Sequence, residues 1–297
     1  MNLKTLENGN SFEDYLVFSE VIVATSQKNT KYIQGTCFNS FGTYKFKIWD
    51  ESAVNKITPN KVCYFVKGEI SIFRGKFGII IRDFVESPEV KVENLLPHVP
   101  LTEQKLKDWY TSQIGSFKSQ ELKSLVISAL NKYEDKLFTH PAAVYNHDAV
   151  VGGWMYHTLK VTYNAISAVN LYPEANIDLV RAGALLHDIG KFEELKPVSE
   201  SGFTLRGSLE GHIVIGLDIL SEFKHIVDKN IYYQLRHIIA SHHGELEWGS
   251  PVVPKTVEAI IVHQADLVDC RVTIAKESLN NKQLYGIEKH GVKYINP

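Results

Sequence analysis

Seven residues in the second half of the chain, His157, His187, Asp188, His212, His242, His243 and Asp266, are all of types that bind transition metals. They read in order as H…HD…H…HH…D, at intervals of roughly one helix plus one loop. Imidazole nitrogens with a few carboxylate oxygens suit Mn, Fe, Co, Ni or Zn better than Mg or Ca. So many ligands suit two divalent ions sharing a site better than one. Two adjacent metals activate a water and take up charge on phosphate oxygens, so the expected chemistry is hydrolysis of a phosphate ester. No serine or cysteine nucleophile is required.

Each residue also has a plainer reading. One histidine on an apolar face is more often a hydrogen-bonded core residue than a ligand. Asp188 or Asp266 alone could pair with a buried Arg or Lys, and His242-His243 alone could close a helix before Gly244. Taken jointly, that reading needs seven polar side chains buried independently on separate helices, each at a desolvation cost. A metal site removes the cost at once.

The elements that must position these residues are amphipathic helices. His157 precedes Val161, Ala165 and Ala168 on one stripe, and His242 shares a face with Leu235, Ile238 and Ile239. Asp266 follows Ala259 and Val262 and precedes Cys270 on another. A helix capped by Asp178 is expected to carry Leu179, Ala182, Gly183, Leu186, His187 and Gly190 on one side. Its small residues allow close packing, which puts His187 and Asp188 deep between helices. Lys191 follows His187 by four residues and Asp188 by three, so one helix face would hold all three. Asp188 and Lys191 are the expected catalytic pair, with Lys191 on the scissile phosphate. The loop over residues 244–254 is expected to border the site, with Trp248 stacking on a terminal base. His147 and His263 could orient ligands, whereas His98, His140, His225, His237 and His290 are expected to be structural.

Residues 17–85 follow a different pattern. Short strands are expected over 17–25, 31–38, 43–49, 62–73 and 77–84, with hairpin turns at Asn39-Ser40-Phe41-Gly42 and Arg74-Gly75-Lys76. Five short strands in so few residues fit a small closed barrel, best matched by an OB-fold. Between Lys28 and Arg82 ten Lys and Arg face three Asp and Glu, an excess of seven positive charges. Basic residues that track phosphates and aromatics that stack bases make a single-strand binding groove. Tyr44, Lys45, Phe46 and Lys47 are the expected contacts there, although most barrel aromatics should be core.

At 297 residues, 44% apolar and 22% charged with net charge −2, the composition is that of a globular protein. The N-terminus lacks the apolar core of a signal peptide, and no run approaches about 18 apolar residues. A cytoplasmic protein without a membrane partner is expected. Cys37, Cys63 and Cys270 are odd in number and scattered, which suits free thiols and gives cysteine no part in the expected metal site. Pro88, Pro97 and Pro100 punctuate a linker.

Several motifs carry a family resemblance. Gly152-Gly153-x-x-x-His157-Thr158, Leu185-Leu186-His187-Asp188-Ile189-Gly190-Lys191 and Asp266 resemble the HD phosphohydrolase superfamily. The added His212 and His242-His243 resemble its two-metal subset. Ser241-His242-His243-Gly244-Glu245-Leu246-Glu247-Trp248-Gly249-Ser250-Pro251 and Gly207-Ser208-Leu209-x-Gly211-His212-Ile213 are similar to the YhaM-type 3′–5′ exoribonucleases. That resemblance implies a multidomain α and β protein: an OB-fold-like nucleic-acid-binding domain over residues 1–90, a linker and connecting helices over 91–137, and an all-α HD domain over 138–297. It further implies that His157, His187, Asp188 and Asp266 hold one metal. Asp188 would bridge to a second, completed by His212, His242 and His243. Manganese is the implied metal, single-stranded RNA or DNA the implied partner, and a homo-oligomer the implied assembly. The expected activity is release of nucleoside 5′-monophosphates from a 3′ end. Two alternatives remain open: hydrolysis of cyclic dinucleotides or free nucleotides, and nucleic-acid binding without turnover.

Overall fold

The computed structural model describes every residue except 27, 28, 74, 145–148, 201, 280–284, 290, 291, 296 and 297. Lys28, Arg74, His147 and His290 therefore lie outside the described residues. The chain divides into two compact units, Met1–His98 and Val99–Pro297.

Alternating apolar positions build the first unit from five strands: β1 (Ser11–Thr25), β2 (Lys31–Asn39), β3 (Gly42–Ile48), β4 (Cys63–Phe73) and β5 (Lys76–Glu86). They close into a barrel in the order β1-β2-β3-β5-β4, antiparallel except where β3 meets β5. This is an OB-fold arrangement. The first strand begins at Ser11, earlier than the sequence pattern suggests, because it serves two partners. Residues 11–17 pair with β4 and residues 17–25 with β2, with a register shift between Phe18 and Glu20 at the change of partner.

Phe18 anchors the barrel core, meeting Phe46, Tyr64 and Phe84 edge-on at 4.9, 5.1 and 5.7 Å between ring centroids. Tyr44 and Phe46 are each only 2% exposed, which corrects their expected role as nucleic-acid contacts. The two-residue pleat of β3 turns both rings inward and turns Lys45 and Lys47 out to solvent. Lys47 Nζ lies 5.5 Å from the Tyr32 ring, which in turn stands 5.0 Å from Trp49.

The second unit contains α1 (Glu103–Gly115), α2 (Gln120–Asn131), α3 (Gly153–Val169), α4 (Ile177–Leu186), α5 (Lys191–Glu194), α6 (Leu205–Glu222), α7 (Lys229–Ser241) and α8 (Val257–Leu279). Leu122, Leu125, Val126, Ala129 and Leu130 of α2 are all buried, as their spacing requires, and share one core with α1, α3, α4, α6, α7 and α8. Two antiparallel strands follow the helices, β6 (Tyr285–Lys289) and β7 (Val292–Ile295). Among the described residues no helix is long and apolar enough to cross a membrane.

Two local features aim the helices at a common point. The cap of α4 is Asn176, whose side chain accepts from the amides of Asp178 and Leu179. Asp178 instead lies in the first turn, buried, 3.0 Å from Arg181 Nη1 and accepting from the amides of Lys118 and Ser119. Its carboxylate ties α4 to the start of α2. Within α6, Gly211 takes φ 72° and ψ 157°, a left-handed φ that breaks the helix one residue before His212.

Candidate metal centre

All seven expected ligands converge. His157 projects from α3 and Asp266 from α8, while His212 starts the segment after the kink in α6. The two adjacent pairs come from helix ends rather than helix interiors. His187 caps α4 at its C-terminus with Asp188 in the turn beyond, and His242 caps α7 with His243 beyond it. Leaving the helix at these points frees two consecutive side chains to face the same centre.

Asp188 sits in the middle, 2% exposed. Its Oδ2 lies 3.3 Å from His187 Nε2 and 3.6 Å from His157 Nε2. Its Oδ1 lies 3.5 Å from both His212 Nε2 and His242 Nε2. Asp266 Oδ1 extends the first group, 3.2 Å from His157 Nε2. His243 extends the second, its Nε2 3.2 Å from that of His212. Each carboxylate oxygen of Asp188 thus faces its own ligand cluster.

The other ring nitrogen of every one of these histidines is tied down. Nδ1–H donates to Asp269 Oδ2 from His157 (2.7 Å), to the Ala184 carbonyl from His187 (2.8 Å) and to Glu194 Oε1 from His212 (3.1 Å). His242 donates to the Ile239 carbonyl and His243 to the Trp248 carbonyl, both at 2.8 Å. A carbonyl or carboxylate at Nδ1 fixes the tautomer and leaves Nε2 as the electron-pair donor. Five Nε2 atoms therefore point at one centre, including His157 and His187 only 3.3 Å apart.

The residues fit metal ions on two further grounds. Asp188 Oδ1 and His242 Nε2 are buried with no hydrogen-bond partner among the described residues, a cost that a bound cation would remove. Imidazole nitrogens about 2.0–2.1 Å from one metal stand about 3 Å apart, close to the spacings observed. The groups His157–His187–Asp188, His212–His242–His243 and His157–Asp266–Cys270 could each hold an ion.

Electrostatics agree. Burial opposes the Asp188 charge, yet Lys191 and its histidine neighbours hold the carboxyl well below the usual carboxylate range. Burial keeps His242 and His243 below the usual histidine range, hence neutral and able to donate an electron pair. At His157 burial is outweighed by Asp266 and Asp269, which push the ring up to about 10 without a metal. That position holds a proton unless a stronger cation takes its place.

Lys191 Nζ lies 2.7 Å from Asp188 Oδ2, although the two do not share a helix: α4 has ended and α5 begins at Lys191. A cavity of about 450 Å³ opens beside them, lined by His157, Asp188, Lys191, His242, His243, Trp248, His263, Asp266 and Cys270 among others. Trp248 is 47% exposed on its wall. His263 donates from Nδ1 to the His242 carbonyl (2.7 Å).

Sequence reasoning missed four contributors. Asp269 and Glu194 hold ligand histidines, and nothing in their spacing separates them from other acidic residues. The Trp154 indole N–H donates to the Asp188 carbonyl (2.8 Å), and buried His140 Nε2–H donates to that of Lys191 (2.8 Å). Cys270, which the sequence left outside the expected ligands, stands with its Sγ 3.4 Å from Asp266 Oδ1. The i,i+4 step on α8 was the available signal.

Residues 154–270 match the HD domain family. The 3′–5′ exoribonuclease YhaM of Oceanobacillus iheyensis is 31% identical over 93% of this chain and 89% of its own length. YhaM of Bacillus subtilis is 28% identical over 92% of this chain and 89% of its own. Among solved structures, the mitochondrial single-stranded DNA binding protein Rim1 of S. cerevisiae matches 28% of this chain and 97% of its own at 13% identity and a TM-score of 0.24. With a relative above 30% identity along almost its full length, the chain belongs to the YhaM family and is an HD-domain hydrolase.

Proposed function

We propose that this protein is a metal-dependent 3′–5′ exoribonuclease acting on single-stranded RNA, and also on single-stranded DNA, with release of nucleoside 5′-monophosphates. The observation that carries the reading is the division of labour at Asp188, whose two oxygens face separate ligand clusters. His157, His187, Asp188 and Asp266 would hold one divalent ion, and Asp188, His212, His242 and His243 the other. Such a pair supplies an activated water and neutralises charge on the phosphate, and the ligand set suits Mn²⁺, with Fe, Co, Ni or Zn as chemical alternatives.

The protein's own groups do the rest. Lys191 adds a fixed positive charge at the cavity floor, beside Asp188 and within reach of a phosphate oxygen. Asp269 and Glu194 keep the Nε2 atoms of His157 and His212 aimed inward. Trp248, half-exposed on the cavity wall, offers a face to the terminal base. On the barrel, Lys45 and Lys47 with Tyr32 and Trp49 form the basic and aromatic outer surface that a single strand needs.

Incubating the protein with 5′-labelled RNA, DNA and cyclic dinucleotides, with Mn²⁺ or EDTA, tests the reading. It requires a ladder descending from the RNA 3′ end, lost in EDTA. Intact RNA beside hydrolysed cyclic dinucleotide would replace it with the small-nucleotide alternative. Salt-sensitive binding without cleavage would favour the adaptor.

A further inference from the structure

Cys270 follows Asp266 by one helical turn on α8, so the two side chains share a face. Its Sγ lies 3.4 Å from Asp266 Oδ1, and that oxygen lies 3.2 Å from His157 Nε2. One nitrogen, one oxygen and one sulfur from these three residues fall within 4.8 Å of one another. Cys270 is partly exposed and lines the same cavity as Lys191 and the histidines. Cys37 and Cys63, by contrast, are buried in the barrel unit.

Thiolate is a soft ligand that Mn²⁺ and Mg²⁺ do not seek, whereas Zn²⁺ and its heavier congener Cd²⁺ do. We infer that Cys270 turns the Asp266 side of the centre into a capture site for soft divalent cations, held by His157 Nε2, an Asp266 oxygen and Cys270 Sγ. The inference rests on reading the cluster as a metal centre. On capture the S–H bond breaks, the sulfur electron pair forms the bond to the cation, and the proton leaves to solvent. No electron is transferred. Because His157 and Asp266 belong to both arrangements, a captured soft cation competes with the ion they hold for hydrolysis.

The test uses the full chain stripped with EDTA and titrated with Cd²⁺, following the ultraviolet sulfur-to-cadmium charge-transfer band, with Mn²⁺ binding measured by calorimetry alongside. The wild-type chain should develop the band. Cys270→Ser should lose it and bind Cd²⁺ about tenfold or more weakly, with a far smaller change for Mn²⁺. A second measurement needs no variant: Cd²⁺, but not Mg²⁺, should slow alkylation of Cys270 by iodoacetamide, read by mass spectrometry. A band that survives Cys270→Ser, or a wild-type chain that binds Mn²⁺ yet shows neither band nor protection, overturns the capture site alone. A chain that binds neither cation overturns the metal centre itself.

Discussion

Lys191 Nζ forms an ion pair with Asp188 Oδ2 at 2.7 Å, in a site where both side chains are largely buried. The pair joins the only lysine on the cavity wall among the described residues to the carboxylate at the centre of the ligand set. Lys191→Met should therefore lower kcat on single-stranded RNA by about 10²–10³, with RNA affinity little changed. Single-turnover kinetics check it. An unchanged kcat would remove Lys191 from the reaction.

Asp269 and Glu194 act through the histidines they hold. Asp269→Asn and Glu194→Gln keep size and much of the hydrogen bonding but remove the charge that fixes each ring. Each should weaken Mn²⁺ binding by about 10- to 100-fold, measured by calorimetry. Asp178→Asn, which disturbs a buried ion pair at the other end of α4, should cost thermal stability without that loss of metal affinity.

Gly190 is placed so that a Cβ would stand 1.9 Å from the His212 carbonyl oxygen and 2.7 Å from the Gly216 amide nitrogen. Both are backbone atoms, so Gly190→Ala must push α6 away from the Asp188 turn. Activity should fall at least as far as in His212→Ala, with a lower Tm. Wild-type activity in Gly190→Ala would contradict the close approach.

Burial pushes His140 down to about 4, outweighing its hydrogen bond to the Lys191 carbonyl. The unfolded chain binds this proton near pH 6.5 and the folded chain only near 4, so the unfolded state carries more protons between those values. Stability from this residue is present above pH 6.5 and lost as pH falls towards 4, by about 3 kcal/mol in all. In metal-stripped protein the Tm of His140→Gln should fall less steeply than wild type across that window. Parallel curves would contradict the assignment.

Lys45 and Lys47 face outward from β3, whereas Tyr44 and Phe46 face the core. Replacing both lysines with alanine should reduce the slope of log K against log salt for RNA binding by about one per lost phosphate contact. Phe46→Ala should instead lower stability by about 3–5 kcal/mol, seen in denaturant melts.

The sequence pattern picked out the seven converging residues more readily than the groups that support them. Ligand types recur at helix-sized intervals, so His157, His187, Asp188, His212, His242, His243 and Asp266 stood out before any fold was known. The barrel was legible from alternation, and the same alternation should have excluded Tyr44 and Phe46 as contacts. Long-range partners were not legible. Which carboxylate reaches His157 or His212 depends on how α3, α5, α6 and α8 pack, and Asp269 and Glu194 look like many surface acids. Asn176 displaced Asp178 as a cap because Asp178 is committed to Arg181 and the start of α2. Gly211 was visible as a motif residue, but its use as a kink that re-aims His212 required the backbone.

The central claim is that Asp188 joins two metal positions. The most direct measurement is the number of Mn²⁺ ions bound per chain at equilibrium, by elemental analysis after dialysis, for wild type and Asp188→Ala. The account predicts two ions per wild-type chain and a loss of both tight sites in the variant. One ion per wild-type chain, or two that survive Asp188→Ala, would contradict it.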